Sequence, residues 1–229
     1  MCSRFENKET GESIFKKLKK VTSGKITLEE TGGLMTTGIA PTNKILTILP
    51  QKNGEISITT SKWGIKFDAK APVIFNSRIE TIREKPYWRR TFGAGRCLIP
   101  ATAFYEWIEK AGRKMPQRIS LDEDSLFFIP SIFIRKKEEI AGSRDDVDES
   151  LRPDASETGA STGIVIMASM ITTTPNSFMK SLHNRMPVIM RLNECLKFLE
   201  APPEAALEYC LPLDEIVKMS AADADFKTR

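Results

Sequence analysis

SLFFIPSIFI, residues 125–134, and GIVIMAS, residues 163–169, are continuous apolar runs. Both suit strands buried on both faces. Pro130 lacks a backbone N–H and implies a break or bulge in the first run. The stretch between them differs. Residues 138–160 hold eight acidic residues (Glu138, Glu139, Asp145, Asp146, Asp148, Glu149, Asp154, Glu157) against two basic ones (Arg144, Arg152). Rich in Ser, Gly and Asp, the stretch reads as an exposed, mobile loop joining neighbouring strands of one sheet, not as a domain linker. It carries −6, which leaves +10 on the rest of a chain whose net charge is +4.

Toward the N-terminus, KILTIL (44–49) and EISITT (55–60) are apolar and β-branched, with Asn53-Gly54 between them, and predict a hairpin. ESIFKKLKK (12–20) places Ile14, Phe15 and Leu18 at helical spacing with lysines opposite. Leu192, Cys195, Leu196 and Leu199 likewise share one helical face. There are no internal repeats. The periodicities give a mixed α+β chain. Its 229 residues fit one domain, or at most two small ones.

A 41% hydrophobic and 28% charged composition rules out wholesale disorder. No apolar run approaches the roughly 18–20 residues of a membrane helix. The opening MCSRFENKET carries charges where a signal peptide needs an apolar core, so a cytoplasmic protein is expected. Cys2, Cys97, Cys195 and Cys210 form no CxxC pair, so neither a structural zinc nor any other metal is expected. They read as reduced thiols, with Cys97 and Cys195 as buried packing residues.

Four places could carry chemistry. Removal of Met1 would leave Cys2 with an α-amine and a thiol on adjacent carbons, both partly nucleophilic near neutral pH. Such a pair can close on an aldehyde as a thiazolidine, or act as an N-terminal nucleophile on amides; the plain alternative is an incidental residue at a frayed end. His183 is the only histidine. It sits with Arg185 just before Met186-Pro187, at a loop-to-strand junction suited to phosphate and proton handling. In FYEW (104–107), a strand would turn Phe104 and Glu106 to one side and Tyr105 and Trp107 to the other. Glu106 would then be a general acid/base with a raised pKa among aromatics, or an edge glutamate facing water. The run 75–96 sets Arg78, Arg83, Lys85, Arg89, Arg90 and Arg96 among Tyr87, Trp88 and Phe92. That is either a solvated helix face or a surface for phosphates and unpaired bases.

Taken in order, MCSRF at the start, NSRIET (76–81), RCLIPATAFYEW (96–107) and HNRMPVIM (183–190) resemble the SRAP family, the SOS-response-associated peptidases. The resemblance implies one SRAP-type α+β domain over 1–229, with a mostly antiparallel, β-barrel-like core and short peripheral helices. It implies a covalent sensor of abasic sites in single-stranded DNA, formed after autoproteolytic loss of Met1, with no cofactor and with lyase-type chemistry as an accompaniment. Cys2 matches the family's crosslinking residue and Asn76 the asparagine that polarises the centre. Glu106 matches the proton shuttle, and His183 the histidine that assists ring opening and reversal. Arg4, Pro41, Trp63, Arg78 and Arg185 match DNA-binding positions. The implied protein is a monomer, nucleoid-associated when bound to DNA. Departures are Ser3 where the family has glycine, TGIAP at 37–41, and WGIKFDAKAP at 63–72, which lacks a second tryptophan for which Phe67 would substitute. Two other readings compete: a cysteine N-terminal-nucleophile amidohydrolase acting on small amides or peptides, and a noncovalent single-strand binding module.

Overall fold

A computed structural model of the chain describes residues 2–22, 24–51, 54–110, 112–122, 125–139 and 162–225. Along them run β1 (Arg4–Glu6), α1 (Gly11–Val21), β2 (Ile26–Leu28), β3 (Lys44–Pro50), β4 (Ile56–Trp63) and β5 (Asn76–Arg78). Next come α2 (Ile79–Glu84), α3 (Pro86–Ala94), β6 (Arg96–Ala101), β7 (Ala103–Lys110), β8 (Arg113–Leu121) and β9 (Phe127–Glu139). The chain continues with β10 (Thr162–Thr173), α4 (Ser177–Lys180), β11 (Met186–Pro187), α5 (Leu192–Glu200), α6 (Pro203–Glu208) and β12 (Met219–Asp223).

Five strands close on themselves in the order β10, β9, β6, β3, β4, and β4 returns to β10 through the parallel pairs Lys62–Met167 and Trp63–Ala168. β5 and β11 add to β10, and β2 adds to β4. A second sheet runs β1, β7, β8, β12, all antiparallel. The fold is α+β with a mostly antiparallel barrel core, as the sequence led one to expect.

The apolar run in β9 is continuous because both of its faces are covered. Phe127, Ile129 and Phe133 join a cluster with Phe104 and Ile119 of the second sheet. Phe128 and Ile132 join another with Ile14 and Leu18 of α1 and Phe198 of α5. Burying each such side chain contributes about 1.5–3 kcal/mol. β9 shows no bulge at Pro130: Leu98 faces it in unbroken register. The break falls in its partner instead. β10 stops pairing at Ser131, and beyond it Phe128 exchanges hydrogen bonds with Met190. Pro130 shares the strand edge of Phe128, so its missing N–H falls in the gap between those two partners.

The hairpin is present, with β3 and β4 antiparallel and Gly54 at φ 77°, a conformation glycine adopts freely. Residues 52 and 53 lie outside the described residues. α1 is capped by the Thr10 side chain accepting from the Ser13 N–H. β9 runs on to Glu139, so the acidic stretch begins within a strand; residues 140–161 lie outside the described residues.

Arg96 departs from its expected role as part of a basic surface. It is buried and donates to the Phe198, Leu199 and Ala201 carbonyls at the end of α5, at 3.3, 3.3 and 2.5 Å. The rings of Phe92 and Phe198 flank it at 5.3 and 5.8 Å. Arg96→Met should lower unfolding free energy by about 2–4 kcal/mol, because it leaves buried carbonyls without donors. Urea unfolding reads this directly, and a loss below about 0.5 kcal/mol would contradict the assignment.

Candidate active site

β1 is only three residues long, and its register on β7 sets the site. Arg4 faces Tyr105 and Phe5 faces Phe104. Continued backward, that register brings Cys2 alongside Glu106. Cys2 is 1% exposed, and its thiol donates to the Arg4 carbonyl at 3.2 Å. The strand is tied down by Glu6, which is buried and takes hydrogen bonds from Tyr105 (3.0 Å) and Arg118 (2.7 Å). These bonds outweigh burial and hold its carboxyl below the usual range.

β10 supplies the other half. β5 pairs with it so that Asn76 faces Met170, and β11 pairs with it so that Met186 faces Thr173. Asn76 and the His183–Arg185 turn are thereby brought to one end of β10. The Asn76 side-chain amide donates to the Cys2 carbonyl at 2.7 Å. The His183 backbone N–H donates to Met179, anchoring the turn to α4. Its Nδ1 accepts the Arg185 N–H at 3.0 Å, which selects the tautomer with the proton on Nε2. That nitrogen lies 3.9 Å from Glu106 Oε2. Cys2, Asn76, Glu106 and His183 are thus gathered from four distant segments.

Burial dominates the electrostatics. Glu106 is 2% exposed, which excludes the water-facing alternative, and burial pushes its carboxyl up to about 7. The Cys2 thiol is pushed up to about 12, first by burial and then by the Glu106 charge. Burial, followed by nearby positive charge, holds the His183 imidazole below its ordinary value. Near neutral pH the centre therefore holds a thiol, a neutral imidazole and a carboxyl close to half-protonated.

A consequence for stability follows. The folded pKa of Glu106 lies above its unfolded value of 4.5, so its contribution is intact below pH 4.5 and is lost as pH rises through about 7. Full ionisation costs the folded state about 3 kcal/mol. Glu106→Gln should gain stability relative to the parent chain between pH 5 and 8, read from paired denaturant curves. A difference independent of pH would contradict the raised pKa.

The positions expected to meet DNA divide. The Arg4 Nη1 donates to Gly38 at 2.9 Å, and Phe5 and Ile39 exchange backbone hydrogen bonds. These contacts lay the 37–41 segment, with half-buried Pro41, against β1. Arg78 is exposed at the start of α2. Trp63 is 0% exposed; its indole donates to Phe75 at 3.0 Å, and its ring packs edge-on against Phe5 and Phe75. It offers no face to a base, which corrects the expectation of a DNA contact there. Arg185 grips Glu80 through two bonds, 2.7 and 3.0 Å, and donates to the Thr172 carbonyl at 2.8 Å. Its Nε and the Asn76 Oδ1 are buried side-chain atoms without a hydrogen-bond partner among the described residues. Both belong to this site, and such orphaned groups in a folded protein call for an explanation, a ligand being one.

Sequence reasoning missed two positioning residues. Glu80 appeared only as a charge within NSRIET, and Glu6 did not appear at all. Alternation along β1 and β7 was the one available signal for Glu6. Of the basic run, Arg83 also reaches the Leu207 carbonyl and Arg89 approaches Glu204 at 3.7 Å, so its charge is less freely available than the sequence suggests.

The family model described as SOS response associated peptidase (SRAP) matches residues 1–223, and the chain belongs to that family. It is 30% identical over 185 residues to the abasic site processing protein YoaM of Bacillus subtilis, covering 77% of this chain and 72% of that protein. It is 28% identical to YobE of the same organism, covering 77% and 74%. A crystal structure of a Bordetella bronchiseptica protein superposes with TM-score 0.72 at 18% identity, over 98% of this chain and 100% of that one. One from Bacteroides thetaiotaomicron gives 0.68 at 20%, over 98% and 92%. No helix of the described residues is long and apolar enough to cross a membrane.

Proposed function

We propose that this chain processes abasic sites in single-stranded DNA by forming a thiazolidine with Cys2 after Met1 is removed. The observation that carries the reading is the convergence of Cys2, Asn76, Glu106 and His183. The relatives named abasic site processing proteins support it.

The chemistry follows from the protonation states. His183 and Glu106 shuttle the proton that opens the hemiacetal to its aldehyde. The Cys2 amine adds to the aldehyde, and protonated Glu106 donates as the hemiaminal loses water. The resulting carboxylate then takes the proton of the Cys2 thiol, whose pKa is too high for it to ionise unaided. The sulfur closes on the iminium carbon. Aldehyde and aminothiol become thiazolidine plus water, and Glu106 ends as it began. Asn76 holds the Cys2 carbonyl and so fixes the nucleophile's direction. Removal of Met1 is proposed to use the same thiol and carboxyl.

Purified protein incubated with a single-stranded oligonucleotide bearing one abasic site should give a slow band on a denaturing gel. No such band would sink the reading. Multiple turnover of small amides without DNA would favour the amidohydrolase instead.

A further inference from the structure

Phe67, Tyr87 and Trp88 form a cluster outside the Cys2 centre. Ring centroids are 5.4 Å apart for Phe67–Tyr87, 5.5 Å for Tyr87–Trp88 and 6.0 Å for Phe67–Trp88, all edge to face. Trp88 also packs against the core, but Tyr87 is 46% exposed and Phe67 37% exposed. The loop carrying Phe67 is held in place: the Lys136 ammonium donates to the Lys66 and Phe67 carbonyls at 3.2 and 3.1 Å. The Asp68 carboxylate accepts from the N–H groups of Lys70 and Ala71, both at 2.8 Å.

The surroundings are cationic. Lys85, Arg89 and Arg90 are exposed, and Arg90 lies one turn beyond Tyr87 on the same face of α3. Lys66 precedes Phe67, and Asp68 is occupied in its turn. An apolar patch ringed by cations suits a polyanion with exposed π-faces, because aromatic rings accept any unpaired base. Its place fits too. α2 alone separates it from Arg78, a rise of about 9 Å, or two to three stacked nucleotides.

We propose that Tyr87, backed by Phe67 and Trp88, is a second contact for single-stranded DNA, on which unpaired bases stack beside the reaction centre. It rests on the reading that the substrate is single-stranded DNA, but not on the covalent step. The test is fluorescence anisotropy at low salt with undamaged, labelled oligothymidylates of about 4 and about 15 nucleotides. Tyr87→Ala should weaken binding of the long oligonucleotide by about 10-fold or more and leave the short one within about twofold; Tyr87→Phe should bind like the parent chain. Equal binding by Tyr87→Ala and parent, equal weakening at both lengths, or no binding of the long oligonucleotide by the parent would each overturn the proposal. Because this DNA carries no aldehyde, loss of covalent chemistry on abasic DNA would leave these outcomes readable.

Discussion

Cys2→Ser is expected to give no heat-stable adduct with abasic single-stranded DNA, a fall of at least about 100-fold in covalent yield at fixed time. The amine of such a variant can still condense with the aldehyde, but an imine hydrolyses, and a hydroxyl closes a far weaker ring than sulfur does. Borohydride should therefore trap a covalent species in Cys2→Ser that is absent without reductant. Binding to undamaged DNA should be unchanged, because the side chain is buried and meets no phosphate. A stable adduct in Cys2→Ser at parental yield would place the chemistry on another residue.

Glu106→Gln is the second large effect. The amide keeps the shape of the carboxyl but can neither donate to departing water nor take the thiol proton. Loss of one well-placed general acid/base costs about 10²–10⁴-fold. The pH profile separates this from mere disturbance. With Glu106 near 7, the parental rate should fall above that pH as the proton donor is lost. It should also fall below the amine pKa near 8, where the nucleophile is protonated, which makes a bell. Glu106→Gln should keep the amine limb and lose the other. The same substitution is expected to stabilise the protein at alkaline pH, so a slow but more stable variant would be hard to explain as misfolding. Retention of the alkaline limb in Glu106→Gln would transfer that titration to another group.

The reaction centre was legible in the sequence because its residues are of unusual type for their places: a cysteine after the initiator, a solitary histidine and a glutamate among aromatics. Spacing alone did not join them. The joining is done by β10, which receives β5 and β11 at one end, and by the register of β1 on β7. Both are long-range pairings that local periodicity does not encode. The barrel strands were legible for a different reason: β9 is covered on both faces, so its apolar run is unbroken.

Charged and aromatic residues were read less well. A basic run looks the same whether its side chains meet solvent, as Arg90 does, or bury themselves against helix-end carbonyls, as Arg96 does. Trp63 could have been a stacking platform or a core residue, and only its packing with Phe5 and Phe75 decides. Pro130 correctly signalled an interruption, but the interruption lies in the partner strand. The Glu80–Arg185 grip joins residues more than 100 positions apart and left no local trace.

The most direct measurement is the intact mass of the product formed with an abasic oligonucleotide, followed by peptide mapping of the N-terminus. The expected mass is the chain without Met1 plus the oligonucleotide less one water, with the modification on Cys2. An adduct that retains Met1, or one mapped to a lysine, would contradict the assignment of Cys2 as the nucleophile.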